Sequence, residues 1–507
     1  MKGHFREIGK DFVKYGFMSA VSQMSGLLLM PLFTRVLSVD EYGVVDVIAT
    51  FVSLISIGMR LALPNGLARY YGAYSVPGKR ARLATTLFVL VLGFSLFVAL
   101  GLSFSGTAEW LSGMIIGDVG YSPFIQLGCW IALMNSVVAV PQVILRLERR
   151  IVALNLSSLL STVLYATTAL YFVFALDKGV AGVFYAQLLS TMVLLAVTLV
   201  LTLRYFALDV SIHDLRHTLA YSLPLLPNLL STWINNQTDR LLLLLLMGLS
   251  AVGVFGAAAR VSRVVLFLLE IFSQGWDPYA MLLIASERRD EVYRRMLSYY
   301  VGAFAAFGLL LTGASPELYA LLLPGEYHAG YVIVPWLVGS AILHRSGSLT
   351  KLGITVSEKT VGISLSSAVG VVLNVAIAFV LIPRFGIAGA AIGHFLGELA
   401  FTSLLWWFTI RCSNVRFDTK SVLAVLILYV VGSILLLLIS ETVKGAMSLL
   451  YRSVLVVVFL GLIAYLTVDK PTLQLLQLTI RRLSGWVADR RFVGADSAFN
   501  KGKTSEE

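Results

Sequence analysis

Long apolar stretches follow one another along almost the whole chain, separated by short polar segments. Most of them are roughly 20 residues long, which is the length that an α-helix needs to cross a bilayer. Polar and apolar positions do not alternate within them, so they do not fit the strands of a membrane β-barrel. The pattern predicts an all-α, multi-pass membrane protein with about fourteen transmembrane helices. The predicted spans are 12–33, 43–63, 84–105, 121–145, 152–176, 180–203, 219–246, 249–274, 299–322, 330–348, 360–382, 386–410, 420–440 and 447–468.

The composition excludes a soluble protein with a large core. The 507 residues are 58% hydrophobic and 13% charged, whereas a soluble chain has about 45–50% apolar and about 25% charged residues. The only two cysteines, Cys129 and Cys412, lie in or beside predicted spans, so we expect no disulfide framework. The charged N-terminus lacks a small-residue cleavage site, so we interpret the first apolar stretch as a retained span.

Basic residues distinguish the two sides of the predicted membrane protein. The formal net charge is +11, and most Lys and Arg residues lie at the N-terminus, in alternate loops and in the C-terminal tail. The other loops contain only Arg35, Lys178, Arg384 and Lys444. Because basic residues accumulate on the cytoplasmic side, both termini are predicted to be cytoplasmic, in the cell inner (plasma) membrane. This loop pattern also argues against nucleic acid as a partner.

Two pairs of similar segments indicate an internal repeat. Leu37–Val45 resembles Leu249–Phe255, and Gly179–Gln187 resembles Gly386–His394, each about 210 residues apart. Two repeats of equal orientation around a central cleft are typical of transporters. The predicted organisation is an N-terminal six-helix bundle (1–210), a C-terminal six-helix bundle (211–415), two additional transmembrane helices (416–470) and a basic cytoplasmic tail (471–507). Part of that tail fits an amphipathic helix on the cytoplasmic leaflet.

Ionisable residues inside the eighth predicted span are the first candidates for function, because charges within a membrane are costly. Arg260, Arg263 and Glu270 share one helix face, and both arginines fall near the bilayer midplane. They require an anionic partner or a water-filled cavity. Guanidinium groups suit phosphate because they bind it in bidentate fashion. The alternative is a structural salt bridge to Glu270 or Asp239.

The second predicted span carries Asp46 and Arg60 on one face. Asp46 fits a proton or sodium site, or the partner of an arginine. Arg60 lies near the inner end of the span, where its long side chain could instead reach the cytoplasmic headgroups. We include both residues among the candidates for the substrate path.

A polar segment interrupts the seventh predicted span and contains Asn235, Asn236, Asp239 and Arg240. We interpret it as the lining of a cavity, although polar side chains also simply join helices within a membrane.

The twelfth predicted span carries Gly389, Gly393 and Gly397 at four-residue spacing. Such a stripe predicts close packing against another helix. His394 and Glu398 lie beside it, and they belong either to this packing or to the transport path.

No sequence motif points to a cofactor or to catalysis, and we expect neither. The segment 72–80 resembles a phosphate-binding loop but has the wrong glycine spacing and an arginine where Ser or Thr must bind Mg²⁺. The histidines show no metal-ligand spacing. Energy for transport would come from an ion gradient (H⁺ or Na⁺), from the membrane potential or from consumption of the product.

Several segments of the chain resemble the polysaccharide flippases (the Wzx group) of the multidrug/oligosaccharidyl-lipid/polysaccharide exporter superfamily. The resemblance covers roughly residues 8–470. The segments that carry it are Thr34–Gly43 (TRVLSVDEYG), Asp239–Leu243 (DRLLL), Leu249–Gly256 (LSAVGVFG), and Asn374 with Leu381–Ala391 (LIPRFGIAGAA).

The resemblance implies alternating access between spans 1–6 and 7–12 around a cationic cavity. It implies an undecaprenyl-pyrophosphate-linked oligosaccharide as cargo, for O-antigen or exopolysaccharide synthesis, with membrane lipid and polysaccharide polymerase machinery as partners. The cavity helices would be spans 1, 2, 7 and 8, which contain Asp46, Arg60, Asp239, Arg240, Arg260 and Arg263.

Three other functions stay open at this point. Peptidoglycan lipid II flippases are similar and also have fourteen spans. Multidrug exporters of the same superfamily prefer cationic cargo, which Arg260 and Arg263 would repel. A membrane sugar polymerase or ligase would be an enzyme with a sizeable outer loop, and the loops here are short.

Overall fold

The protein is built of α-helices joined by short connections. The structure, a computed structural model, describes residues 26–467 except 28, 75, 105, 284–288, 351–360 and 414–417. These residues contain no β-strand. The helices are α1 (Val39–Arg60), α2 (Leu63–Tyr71), α3 (Pro77–Phe104), α4 (Thr107–Ile115), α5 (Ser122–Leu147), α6 (Ile151–Leu170), α7 (Gly179–Thr202), α8 (Ile212–Ser222), α9 (Leu226–Met247), α10 (Leu249–Leu283), α11 (Arg289–Leu322), α12 (Val334–Thr350), α13 (Val361–Phe385), α14 (Ile387–Ser413), α15 (Thr419–Thr442) and α16 (Ala446–Thr467).

The described helices confirm a multi-pass, all-α membrane protein. Eleven of them are long and apolar enough to cross a bilayer, and each coincides with a predicted span. Two more predicted spans coincide with α9, which carries the polar segment, and with α12, which has 17 residues. Residues 26–27 and 29–36 are helical at the end of the first predicted span. The remainder of that span and the predicted amphipathic tail lie outside the described residues.

Short helices occupy several connections that the hydrophobic pattern left as loops. They are α2, α4, α8 and a 3₁₀ segment at Gly325–Ile333. Each is too short to stand out by hydrophobicity, but local signals mark two of them. Pro64 sits in the first turn of α2, where its missing N–H has no intrahelical partner to lose. The Ser211 side chain accepts a hydrogen bond from Asp214 N at 3.2 Å and caps α8.

The chain divides into two compact units. One comprises Met1–Glu287 and Leu310–Val415, and the other comprises Arg288–Leu309 and Arg416–Glu507. Within the second unit, a Cβ on Gly302 would come within 2.6 Å of the Thr467 side chain. All residues of the candidate site lie in the first unit.

The two segments of the first predicted repeat pack directly against each other. A Cβ on Gly43 of α1 would overlap the Leu249 backbone, and a Cβ on Gly253 of α10 would overlap the Val39 backbone. Glycine at both positions therefore allows the two helices to approach backbone to backbone. In this way the first turns of α1 and α10 form a reciprocal contact.

Glycines allow a left-handed backbone conformation at the second pair of similar segments and close helix packing along α14. Gly179, the first residue of α7, and Gly386, which precedes α14, have φ of 50° and 59°, a conformation that favours glycine. Along α14, a Cβ on Gly393 would lie 2.8 Å from Ala378 Cβ, and one on Gly397 would lie 2.7 Å from Asn374 Cβ. The predicted close packing of this stripe, against α13, is confirmed.

Burial changes along α1 and α10. Residues 42–48 of α1 and 251–258 of α10 are buried on every side, whereas the second half of each helix alternates between buried and accessible positions. Gly58, near the end of α1, has open space around it. The first halves of these helices, which the loop charges predict to be at the outer side, are therefore closed off, and the second halves border accessible space.

Candidate functional site

One buried carboxylate joins two arginines from different helices. Asp46 of α1 accepts a hydrogen bond from Arg240 Nε of α9 at 2.6 Å and one from Arg260 Nη2 of α10 at 3.2 Å. The Asp46 side chain is 8% exposed, and those of Arg240 and Arg260 are 11% and 18% exposed. Because charges removed from water must be paired, this cluster links α1, from the predicted N-terminal bundle, to two helices of the predicted C-terminal bundle.

Neighbouring side chains form further contacts with both arginines. Arg260 Nη1 donates to the Tyr42 hydroxyl, and its guanidinium lies 4.7 Å from the centroid of the Tyr42 ring. Arg240 Nη1 donates to Gln237 Oε1 at 3.0 Å. We call Tyr42, Asp46, Arg240 and Arg260 the ionic latch. A further hydrogen bond joins the same helices, since Trp233 Nε1 of α9 donates to Ser53 Oγ of α1 at 2.7 Å.

Arg263 is the exposed arginine of the site. It follows Arg260 by three residues on α10, at the start of the accessible half of that helix. Neither Arg263 nor Glu270 forms an ion pair in the part of the chain that the structure describes. The structural alternative predicted Glu270 or Asp239 as the partner of Arg260, but its partner is Asp46. The vicinity of the latch thus has three arginines and one carboxylate, a surplus of positive charge.

A second cluster joins α9, α12 and α14. Glu398 accepts a hydrogen bond from Asn235 Nδ2 at 2.9 Å, and its other oxygen lies 3.0 Å from His344 Nδ1. One turn away, His394 Nδ1 lies 2.8 Å from Asp239 Oδ2. Asp239 and Arg240 are adjacent in sequence, so α9 belongs to both clusters. We call Asp239, His344, His394 and Glu398 the histidine–carboxylate cluster.

A small cavity lies beside this second cluster. Its volume is about 20 Å³, enough for one water-sized species. The lining residues are Asn235, His344, Ser367, Gly370, Gly397, Glu398 and Phe401. Among the described residues, no group of three or more His, Cys, Asp or Glu side chains is arranged to hold a metal ion.

Two predicted site residues take other positions. Arg60 Nη2 donates to Asn135 O of α5 at 2.9 Å, so Arg60 joins α1 to α5. Asn236 is exposed and contributes its backbone oxygen, 3.4 Å from Arg240 Nη1. Asp46, Arg240 and Arg260 belong to the ionic latch. Asp239 belongs to the histidine–carboxylate cluster, and Asn235 donates a hydrogen bond to its Glu398.

Sequence reasoning missed three participants. Tyr42 precedes Asp46 by four residues on α1, and this helical spacing was an available signal. Gln237 lies in the polar segment that was singled out on α9. His344 had no comparable signal, because its partner Glu398 lies on a different helix.

The sequence comparison points to polysaccharide biosynthesis. The profile of a family described as polysaccharide biosynthesis protein matches residues 32–274, just under half of the chain. This segment includes α1, α9 and the latch-bearing part of α10. No curated protein matches the chain by sequence.

Solved structures show which fold the chain has. It is similar to a lipid II flippase MurJ in an inward closed conformation, with TM-score 0.62 and 11% identity over 89% of this chain and 98% of that chain. It is also similar to an inward-facing MATE family multidrug resistance transporter of the MOP superfamily, with TM-score 0.60 and 19% identity over 78% and 95%. A mutant of the Vibrio cholerae MATE transporter VcmN gives TM-score 0.57 and 16% identity over 80% and 97%.

At these identities the structures establish the fold, and the profile match over 32–274 provides the link to polysaccharides. Membership of the Wzx group stays a prediction. Together the profile match and the fold fit a polysaccharide flippase of the MOP superfamily.

Proposed function

We propose that the protein moves an undecaprenyl-pyrophosphate-linked oligosaccharide repeat unit from the cytoplasmic to the outer leaflet of the inner membrane, for surface polysaccharide synthesis. Both termini would lie in the cytoplasm. The ends of α1 and α10 that pack together would then face outward, and the accessible halves would face the cytoplasm, where the cargo is made.

The observation that carries this proposal is the sharing of Asp46 by Arg240 and Arg260, with Arg263 exposed one turn further along α10. A pyrophosphate diester carries negative charges on oxygens that guanidinium groups bind well. In the present conformation the Asp46 carboxylate stands where two arginines converge. A cargo pyrophosphate arriving at Arg263 would compete with Asp46 for those arginines. Anion binding would in this way weaken the ionic latch that joins the two repeats.

The polar inner half of α9 suits the sugar part of such a cargo. Asn228, Ser231, Thr232 and Asn236 are exposed there, on a helix that also carries exposed Leu230. Sugars need hydrogen-bonding groups and water to cross the midplane, because an unsatisfied polar group in hydrocarbon costs several kcal/mol.

The surplus of arginine favours an anionic cargo over a cationic drug, but it does not distinguish lipid-linked oligosaccharide from lipid II. Both lipids carry a pyrophosphate. A polymerase or ligase acting on the same lipid is the alternative from another class. The experiment must therefore identify the accumulated lipid as well as the defect.

The test uses cells that lack the protein and express either the intact chain, Arg263→Ala or Arg384→Ala. Arg384 is an exposed arginine at the end of α13, so it controls for the loss of one positive charge. Lipid extracts are scored for undecaprenyl-pyrophosphate oligosaccharide and for lipid II, and leaflet location is read with an impermeant sugar-oxidising reagent.

We expect the complete repeat unit to accumulate on the cytoplasmic leaflet in deleted and Arg263→Ala cells, and to be cleared by Arg384→Ala. Accumulation of lipid II would assign the other flippase activity. Accumulation of single repeat units on the outer leaflet would indicate a lost polymerase and would refute transport.

A further inference from the structure

The histidine–carboxylate cluster contains ionisable groups that recognition of an anionic cargo does not use. Glu398 is 5% exposed and Asp239 is 4% exposed, and each lies within 3.0 Å of an imidazole nitrogen. A buried carboxylate without a positive or hydrogen-bonding partner costs several kcal/mol. The charge on each imidazole therefore decides how well its carboxylate is compensated.

The two pairs form a short ladder between helices. Asn235 and Asp239 are one turn apart on α9, and they contact Glu398 and His394, which are one turn apart on α14. The charged groups that face His394 are Asp239, Glu398 and Arg240, and those that face Glu398 are His344 and His394. Four titratable groups thus occupy one polar layer between α9, α12 and α14.

The ladder has an accessible end and a buried end. The His344 side chain is 48% exposed, and the small cavity lies between it and Glu398. At the other end, Asp239 Oδ1 is buried without a hydrogen-bond partner among the described residues. The cluster therefore has one imidazole open to exchange with its surroundings and one carboxylate oxygen that is buried.

The buried end is connected to the ionic latch. Asp239 is followed directly by Arg240, whose Nε donates a hydrogen bond to Asp46 Oδ2 of α1 at 2.6 Å. A change in charge at His394 consequently acts on Arg240, the arginine that joins α9 to α1. Imidazole changes charge near neutral pH, which suits an exchangeable proton. Hard metal cations are bound by shells of oxygen ligands, whereas here each carboxylate has an imidazole nitrogen beside it.

We propose that the histidine–carboxylate cluster is a proton-binding site that couples a proton gradient to opening of the ionic latch. This proposal identifies the proton as the coupling ion, and it rests on the proposed transport function. With the imidazoles protonated, both buried carboxylates are compensated and the closed packing of α9 on α1 is stable. Loss of the protons removes the positive charge of the imidazoles beside the two carboxylates and favours opening of the outer end. Acidic pH thus favours the closed form, and alkaline pH favours the open form.

The test measures the conformation of the full-length protein in lipid nanodiscs without cargo. Nitroxide labels are attached at Trp110→Cys and Phe385→Cys, two exposed positions in predicted outer connections, after Cys129 and Cys412 are replaced by alanine. Double electron–electron resonance then gives the distance between the labels as a function of pH, and separately as a function of Na⁺ at fixed pH.

We expect the short-distance population to grow as the pH falls, with a closed-to-open ratio that changes by up to about tenfold per pH unit for each proton bound. The double variant His344→Gln and His394→Gln should lose this dependence. The matched control is His217→Gln, on α8 beside Tyr70, which should keep it.

Distances that respond to Na⁺ and not to pH would overturn the proposal, and so would an unchanged pH response in the double histidine variant. This readout is independent of cargo. A pH-dependent distance without flipping of any lipid-linked sugar would refute the proposed function and leave the proton site intact. Flipping of the lipid-linked sugar without a pH-dependent distance would refute the proton site and leave the proposed function intact.

Discussion

Substitution of Asp46 by asparagine tests the ionic latch most directly. The change keeps the size of the side chain and removes the only carboxylate bonded to Arg240 and Arg260 among the described residues. Two guanidinium groups then face each other across a neutral amide. Their mutual repulsion is relieved if α1 and α10 separate and admit water, so we expect the variant to shift toward an open outer end.

The size of the shift follows from the burial of the three side chains. Removing one partner of a fully buried ion pair costs about 3–5 kcal/mol. Because the arginines are 11% and 18% exposed, partial hydration reduces this, and we expect about 2–3 kcal/mol. Since about 1.4 kcal/mol is a factor of ten, the closed-to-open ratio should fall by roughly 30- to 150-fold.

The measurement uses the same two spin labels, at neutral pH and without cargo. Asp40→Asn is the matched control, because Asp40 lies on the first turn of α1 and bonds Ser250 at the exposed edge of the same contact. We expect that control to change the ratio by less than about threefold, as for a surface polar contact worth at most a few tenths of a kcal/mol. If Asp46→Asn leaves the distance distribution as it is in the unaltered protein, the latch does not hold the repeats together.

Two further predictions concern the glycines. Gly43→Ala places a Cβ against the Leu249 backbone, which cannot move aside as a flexible side chain would, so the distance between the spin labels should lengthen. Gly58→Ala is the control, because Gly58 has open space around it, and it should leave this distance unchanged. Gly393→Leu forces α14 away from Ala378 of α13 and should lower the thermal unfolding temperature in detergent, because overpacking costs about 1–3 kcal/mol or more; an unchanged temperature would show that the two helices are not packed closely there.

Local features were the most predictable from sequence. The span positions depend on segment length and apolarity alone, because a helix in a bilayer must satisfy its own backbone hydrogen bonds. The stripe of Gly389, Gly393 and Gly397 was also predictable, since residues four apart lie on one helix face. The short helix α4 was not, because its nine residues are too few to stand out by hydrophobicity and no side chain caps its first turn.

The site was only partly predictable for a related reason. Arg260, Arg240 and Asp46 stood out as charges within apolar spans, which is a property of each segment by itself. Pairing of Asp46 with an arginine was one of the predicted alternatives and is confirmed, but which arginines it pairs with depends on how α1, α9 and α10 are rotated about their axes. The spacing along one helix suggested Glu270 as a partner for Arg260, but the structure places Asp46 there, more than two hundred residues away.

The sequence by itself therefore determined that this is a helical membrane protein, where its long apolar helices lie and which of them carry charge. These properties arise from length, hydrophobicity and periodicity along one segment at a time. Only the tertiary structure decided that Asp46 joins two arginines across the repeats and that His344 reaches Glu398. Those contacts require several helices to pack at one depth with the right faces together, and that is set by the close fit of side chains and glycines between helices.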